Sequence, residues 1–219
     1  MMKWTINILI MISLFFTGCS KSMTTVNFRE ISIEPKFSIQ HKEKIQAGIG
    51  LFLPQRFRDY NYQIEQHGIG KLANYEGNIS IGRNTSLAFY QMMSSIFSHV
   101  VILEEYNRQI KLSDPDISFV AVPGIELFDF KVPRTGLSDY KVRLGLGCTF
   151  YDRNGALVVS IVKTAEKNIG AFSAVSKEGG LHGAVTTLVQ DAFEDAINQI
   201  AHQIMEDRSK FSINVAGGH

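Results

Sequence analysis

Two cysteines in 219 residues are too few for a disulfide-stapled small protein or a four-cysteine zinc module. Five prolines and no low-complexity run exclude linker-, collagen- and mucin-like chains. Charge of one sign is also missing. Twenty-two Lys+Arg stand against 21 Asp+Glu, a formal +1, so no field points to nucleic acid as a partner. The G-x-S-x-G, Walker A, G-x-G-x-x-G, H-E-x-x-H and C-x-x-C patterns do not occur. What remains is a globular composition, 45% hydrophobic and 20% charged, of a length suited to one ordinary domain or two small ones.

The N-terminus carries the sharpest signal. Lys3 precedes an apolar stretch, Trp4 to Phe16, of 13 residues. A bilayer-spanning helix needs about 20 apolar residues, whereas a signal-peptide core needs about 7–15. The next residues, Thr17-Gly18-Cys19-Ser20, are small and end on a cysteine. Phe16-Thr17-Gly18-Cys19 resembles the lipobox of bacterial lipoprotein precursors, with Phe16 where Leu is usual. The resemblance implies cleavage before Cys19 and lipidation of its sulfur, with membrane lipid as a partner through the acylated Cys19. Ser20 after the cysteine, rather than Asp, resembles the pattern that directs such proteins to the outer membrane. Residues 1–18 are then the signal peptide, and the mature chain has 201 residues (219 − 18) with 21 basic and 21 acidic side chains, Lys3 being lost. An ordinary secretory signal with an incidental cysteine is the bland alternative.

Residues 19–44 are expected to hold the lipidated Cys19, a tether over 20–26 and an extended edge segment. In that segment Ile31, Ile33, Phe37 and Ile39 recur at even spacing around Pro35. Ile45, Ala47, Ile49, Leu51 and Leu53 alternate and predict a main strand ending at Pro54. Residues 55–83 read as a polar excursion rich in Tyr and Gly, with short strands near Tyr60–Gln66 and Asn78–Ile81. Asn84 or Thr85 caps a helix to about Ser98, with Phe89, Met93, Ile96 and Phe97 on its core side. Val100–Leu103 predicts a short buried strand, and Ile117–Val132 a long one kinked at Pro123-Gly124. Tyr140, Val142, Leu144, Leu146, Cys148 and Phe150 alternate with polar or small residues. Asp152-Arg153-Asn154-Gly155 then turns the chain into an antiparallel strand, Leu157–Lys167. A Gly/Ser-rich loop over 168–180 leads to a helix from Leu181 to about Met205. Its apolar stripe leaves Gln190, Asp191, Glu194, Asp195, Asn198 and Gln199 on the outer face. Residues 207–219 read as a frayed tail. The expected fold is one α+β domain over 45–206, an antiparallel sheet of about five strands, mixed at its edge, packed on one face by two helices.

Little here points to catalysis, and no metal or cofactor is expected. None of His41, His67, His99, His182, His202 and His219 pairs with another at metal-ligand spacing. Once Cys19 is lipidated, Cys148 is the only thiol, and in a strand it reads as a small buried hydrophobe. Gly179-Gly180-Leu181-His182-Gly183 could cradle an anion, although a loop-to-helix junction explains its glycines as well. Asp191, Glu194 and Asp195 read as a solvated face rather than paired acids. Tyr60, Tyr62, Ile64, Ile69 and Tyr75 sit among glycines and are the best candidates for a partner-binding surface.

The mature chain resembles small bacterial envelope lipoproteins, with the YajG-like and LPS-assembly-lipoprotein groups nearest. That resemblance implies a non-enzymatic, lipid-anchored accessory role on the periplasmic side of the outer membrane, docking an envelope protein. A periplasmic carrier of lipid or a small ligand is the alternative.

Overall fold

A computed structural model describes residues 24–32, 43–68, 73–107, 114–135, 138–176 and 179–211. Within them run β1 (Thr24–Ser32), β2 (Ile45–Phe52), the short α1 (Gln55–Arg58), β3 (Asn61–Gly68), β4 (Ala73–Ser80) and α2 (Gly82–Ile96). There follow β5 (Phe97–Leu103), β6 (Phe119–Lys131), β7 (Asp139–Asp152), β8 (Leu157–Gly170), α3 (Ala171–Ser176), α4 (Gly180–Glu206) and a 3-10 turn, Arg208–Phe211. Five strands pair in the order β5-β2-β6-β7-β8. Here β2 runs parallel to both neighbours, and β6, β7 and β8 are mutually antiparallel. The other three form a second sheet, β1-β4-β3, with β1 parallel and β3 antiparallel to β4. The fold is α+β with a mixed five-stranded sheet. The longer helices α2 and α4 touch each other and pack on one face of that sheet.

Local sequence explains the central strands. On β2, Ala47, Ile49 and Leu51 are buried toward the helices, while Gly48 faces the other way. There the backbone crosses closely: Ser118 N–H donates to Gly48 O at 2.9 Å, and a Cβ on Gly48 would lie 1.8 Å from Asp116 O. The β7–β8 hairpin is closed by Asp152, whose Oδ1 accepts the N–H groups of Asn154 and Ala156, each at 2.8 Å. Gly155 there adopts φ +79°, a conformation natural to glycine.

On β6 the expected break at Pro123-Gly124 is displaced. The register with β7 shifts between Ile125 and Leu127, so the extra residue is Glu126. Ahead of it Ala121 and Ile125 pack on the core, and beyond it Phe128, Phe130 and Val132 do. The inserted residue changes which parity points inward, which a regular strand cannot do. Pro123 itself lies in the run paired with β7, past Ala121, the last β6 residue in register with β2.

The small sheet is fastened to the large one by a side chain. Gln66 on β3 donates its amide to Phe130 O and accepts Val132 N–H at 3.2 Å. One side chain thereby satisfies a donor and an acceptor on the edge of β6, as a neighbouring strand would. Aromatic packing reinforces the joint: Phe28 of β1 meets Phe130 edge-on at 6.1 Å, and Tyr62 meets Phe128 at 4.8 Å.

Helix α2 starts at Gly82, earlier than the expected cap at Asn84 or Thr85, and no side chain caps it. Tyr60 O instead accepts the N–H groups of Ile81 and Gly82 at 3.2 and 3.0 Å. The buried hydroxyls of Thr85 and Ser86 turn back to Ile81 O and Gly82 O, at 2.6 and 2.8 Å, so neither is left unpaired. Helix α4 follows its predicted span within a residue at each end. Its polar side is less solvated than expected. Lys167 Nζ lies 2.7 Å from Asp195 Oδ2, and Lys163 Nζ donates to Gln203 Oε1 at 2.8 Å. Four residues of strand span about 13 Å and eight of helix about 12 Å, so two lysines on β8 match two acceptors on an antiparallel α4.

Other expectations are revised. Thr24, Thr25 and Val26, assigned to a tether, begin β1, which pairs with β4 and buries Phe28 and Ile31. Ile33, Pro35, Phe37 and Ile39 lie outside the described residues. The strand at Val100–Leu103 is an edge of the sheet and is only partly covered, with Ile102 exposed, because among the described residues β2 is its one strand neighbour. Residues 168–170 extend β8 and 171–176 form α3, where a loop was expected.

The tail assignment also changes at Phe211. Its ring is fully buried, with centroids 4.9 Å from Phe150, 5.4 Å from Phe97 and 5.5 Å from Phe119. A ring flanked only by polar neighbours in sequence gives no periodic signal, and its burial follows from where α4 ends above β2. Phe211→Ala should cost about 3–5 kcal/mol in urea denaturation, as for a core ring, against about 0.5 kcal/mol or less for a frayed tail residue.

Candidate functional surface

The structure places the sequence-predicted surface mostly inside the protein. Ile64 and Tyr75 are buried, and Tyr60 and Tyr62 are half-buried against the core. Ile69 and Cys19 lie outside the described residues. The short strands expected near Tyr60–Gln66 and Asn78–Ile81 are present as β3 and β4, both longer than expected, and Tyr62, Ile64, Tyr75 and Ile79 are the inward side of the small sheet. Tyr75 stacks on Phe28 at 5.9 Å, and Tyr140 donates its hydroxyl to Tyr75 Oη at 3.3 Å. Burial, and then that hydrogen bond, push the Tyr140 phenol well above its ordinary value. Burial also raises Tyr60, with the neighbouring Tyr62 adding to it. Ile64 and Tyr75 therefore cannot anchor a partner without unfolding the sheet. What the sequence reading missed is that the two-residue spacing of Tyr62 and Ile64 and of Tyr75, Gly77 and Ile79 turns one side of these strands inward.

Two open grooves flank this sheet. One, of about 760 Å³, runs over it and is lined by Asn27, Gln63, Glu65, His67, Glu76 and Asn78 among others. The second, of about 820 Å³, lies where β3 meets the ends of β6, β7 and β8, and carries Lys131, Arg134, Lys141, Asp129, Asp139 and Glu166. Both are furrows open at the surface, the first lined mainly by polar atoms and the second by a mixture of apolar stems and charged ends. The space between α2, α4 and the β2–β6–β7 part of the sheet is filled by the rings of Phe97, Phe119, Phe150 and Phe211.

Among the described residues, the face of the large sheet turned away from the helices is covered at one end only. There Tyr106 packs on Phe52 and Tyr151, at 5.9 and 6.0 Å, and Leu103 covers Gly50. Further along, Gly145 and Gly147 form a shallow floor. Gly145 lies between Leu127 and Thr164 and Gly147 is paired with Val162, and a Cβ on Gly147 would lie 2.8 Å from Glu126 Oε1. Leu127 is 38% and Val162 53% exposed. Neither was singled out from sequence, because each sits within a strand pattern that does not say which face is covered.

The titratable groups are engaged structurally. The Lys167 ammonium, and next the Gln199 amide at 2.9 Å, hold the Asp195 carboxyl below the usual aspartate range. Glu194 accepts from Gln190 at 2.9 Å. His67 Nδ1 lies 2.6 Å from Asn74 Oδ1, and His182 is exposed at the start of α4. Among the described residues no three of His, Cys, Asp and Glu gather as a metal site would require. Cys148 is fully buried in β7, and burial pushes its thiol far up, away from the thiolate that a nucleophile needs.

No family model matches the chain, and none of the curated proteins matches it. Among solved structures it is similar to protein XCC0632 of Xanthomonas campestris, described by the DUF330 family model. Identity is 9% and the TM-score 0.46, covering 85% of this chain and 99% of that one. It is also similar to a minor lipoprotein of Acinetobacter baumannii, at 12% identity and TM-score 0.45, over 76% of this chain and 96% of that one.

Two outcomes follow from the side-chain environments. In the native protein Cys148 should resist iodoacetamide and become alkylated only on unfolding, as read by intact mass with and without urea. Asp195 is depressed in the folded state, so its stabilisation is present above the ordinary aspartate value and is lost as pH falls through the folded one. Asp195→Asn should therefore lower the melting temperature near neutral pH and converge with the parent protein at acid pH. Solvent screening of the half-exposed pair keeps the difference small, about 1 kcal/mol or less.

Proposed function

We propose that this chain is a lipid-anchored accessory protein on the periplasmic side of the bacterial outer membrane, acting through protein contacts and not as an enzyme. The observation that carries this reading is the lipobox-like Phe16-Thr17-Gly18-Cys19, preceded by a 13-residue apolar core and followed within five residues by the first strand at Thr24. Two or three acyl chains on Cys19 would anchor the protein firmly, each buried CH2 contributing about 0.8 kcal/mol. No helix of the described residues is long and apolar enough to cross a membrane. The anchor in this reading is therefore the lipid. Docking an envelope protein, whose identity the sequence does not name, is assigned to the uncovered sheet face around Leu127, Gly145, Gly147 and Val162. Strands present that surface rigidly, with Glu126 and Leu127 lying over the two glycines.

Intact mass of the protein purified from membranes should show a chain beginning at a modified Cys19. If Cys19→Ser leaves processing and membrane association unchanged, the anchoring half of the proposal falls. A photo-crosslinking residue placed at Val162 should give a discrete adduct with one envelope protein, abolished by Leu127→Glu. Adducts that ignore Leu127→Glu, or none at all, would sink the docking half.

A further inference from the structure

The path of the strands gathers several features at one end of the domain. At β1 the register runs from Thr24 to Ala73 on β4 and on to Gly68 on β3. Gln66, two residues back, holds Phe130 and Val132 at the end of β6. Lys131 pairs with Lys141 at the start of β7, and Asp139 pairs with Gly170 at the end of β8, where α3 begins. A Cβ on Gly170 would be 3.7 Å from both Asp139 Oδ1 and Ser173 Oγ, so α3 sits beside the charged groove. Helix α3 buries Ala174 but leaves Phe172 and Val175, one turn apart, 74% and 68% exposed. No other large hydrophobic side chain among the described residues is as open.

Four residues, 20–23, separate Cys19 from Thr24. Five steps of extended chain reach about 18 Å at most. The 14 residues of β7 span about 46 Å, so the hairpin at its far end cannot exchange places with the Thr24 end. A lipid on Cys19 therefore presents the α3 end to the bilayer. The groove there matches the surface it would meet. Lys131, Arg134 and Lys141 can face headgroup phosphates, and Asp129, Asp139 and Glu166 can face headgroup ammonium groups. Among the described residues, Arg134 and Lys141 have no carboxylate within ion-pair distance, whereas Lys131 is 3.2 Å from Asp129.

We infer that α3 is a membrane-contact element: Phe172 and Val175 enter the boundary between headgroups and acyl chains of a zwitterionic phospholipid bilayer, and the mixed-charge groove beside them binds the headgroups. The inference rests on the proposed lipidation of Cys19. It adds to it a fixed orientation, with the β7–β8 hairpin pointing away from the membrane. An apolar residue pair with polar flanks at an anchored end is the arrangement that lets a domain rest on an interface instead of swinging from a tether.

The only tryptophan is Trp4, upstream of Cys19, so the processed chain is free of tryptophan and a single one can be placed as a depth probe. Full-length Phe172→Trp and Ala156→Trp, the latter in the hairpin, are purified from membranes and reconstituted in phosphatidylethanolamine–phosphatidylcholine vesicles with brominated acyl chains. The Phe172→Trp variant should show blue-shifted emission and be quenched by the brominated lipid. The Ala156→Trp variant should do neither, and Val175→Trp should repeat the result of Phe172→Trp. If both proteins float with the vesicles and the Phe172→Trp variant is unquenched, or both are quenched alike, the membrane-contact assignment is overturned while the anchoring reading stands. If the protein does not float with the vesicles at all, the anchoring reading and this inference fall together.

Discussion

The structure depends on one constraint: side chains on a strand alternate faces, and β6 must serve two halves of the core that demand opposite parities. Toward the start of the strand, Phe119 and Ala121 lie beneath the end of α4 and the 3-10 turn, with Phe119 against Phe211. Toward its end, Phe128 and Phe130 meet Phe193, Tyr62, Phe28 and Tyr140. Without an extra residue at Glu126, one of these sets would face solvent. Burying an aromatic side chain is worth about 1.5–3 kcal/mol, which the bulge secures for both sets of rings. Its by-product is that Glu126 and Leu127 both project outward, over Gly147 and Gly145. The feature that lets the core close also shapes the open face.

From the same point the small sheet acquires its position. Beyond Ala121, β6 has no register partner on its β2 side among the described residues, and its backbone groups still need partners. Gln66 supplies one donor and one acceptor without adding a strand. A side-chain bridge fixes orientation less strictly than a ladder, so the rings of Phe28, Tyr62 and Tyr75 carry the remaining specificity. This is why tyrosines that look like surface anchors in the sequence prove to be the joint between two sheets.

What could be read from the sequence was local. The β7–β8 hairpin was legible because Asp152, Asn154 and Gly155 are the residues its turn requires, and α4 because its apolar stripe recurs over many turns. The two-residue alternation of β2 and β7 gave their inward faces directly. The parallel pairing of β1 with β4 was not legible, since it joins residues some fifty apart, as Thr24 and Ala73 are, and no turn motif announces it. Phe211 was missed for a related reason, its burial being decided by distant rings. Of the candidate surface, Leu127 and Val162 were hidden inside strand patterns. Phe172 and Val175 lay in a stretch whose small residues masked a helix.

The domain is polar in a geometric sense that its near-zero net charge conceals. Sheet pairing carries Thr24, Lys141 and α3 to one end and the Asp152–Ala156 hairpin to the other. Covering by α2 and α4 makes the two faces of the large sheet unequal as well, one filled with rings and one floored by glycine. The proposed anchoring would use both asymmetries. In that reading the first sets which end meets the bilayer, and the second leaves a rigid face at right angles to it for a partner approaching laterally. Net charge could not provide this arrangement: under the proposed lipidation of Cys19, the four residues before Thr24 bring the domain to the membrane without long-range attraction. Short-range complementarity at the near end and shape at the open face are then sufficient, and a chain with 21 bases and 21 acids after Cys19 has no need of a stronger field.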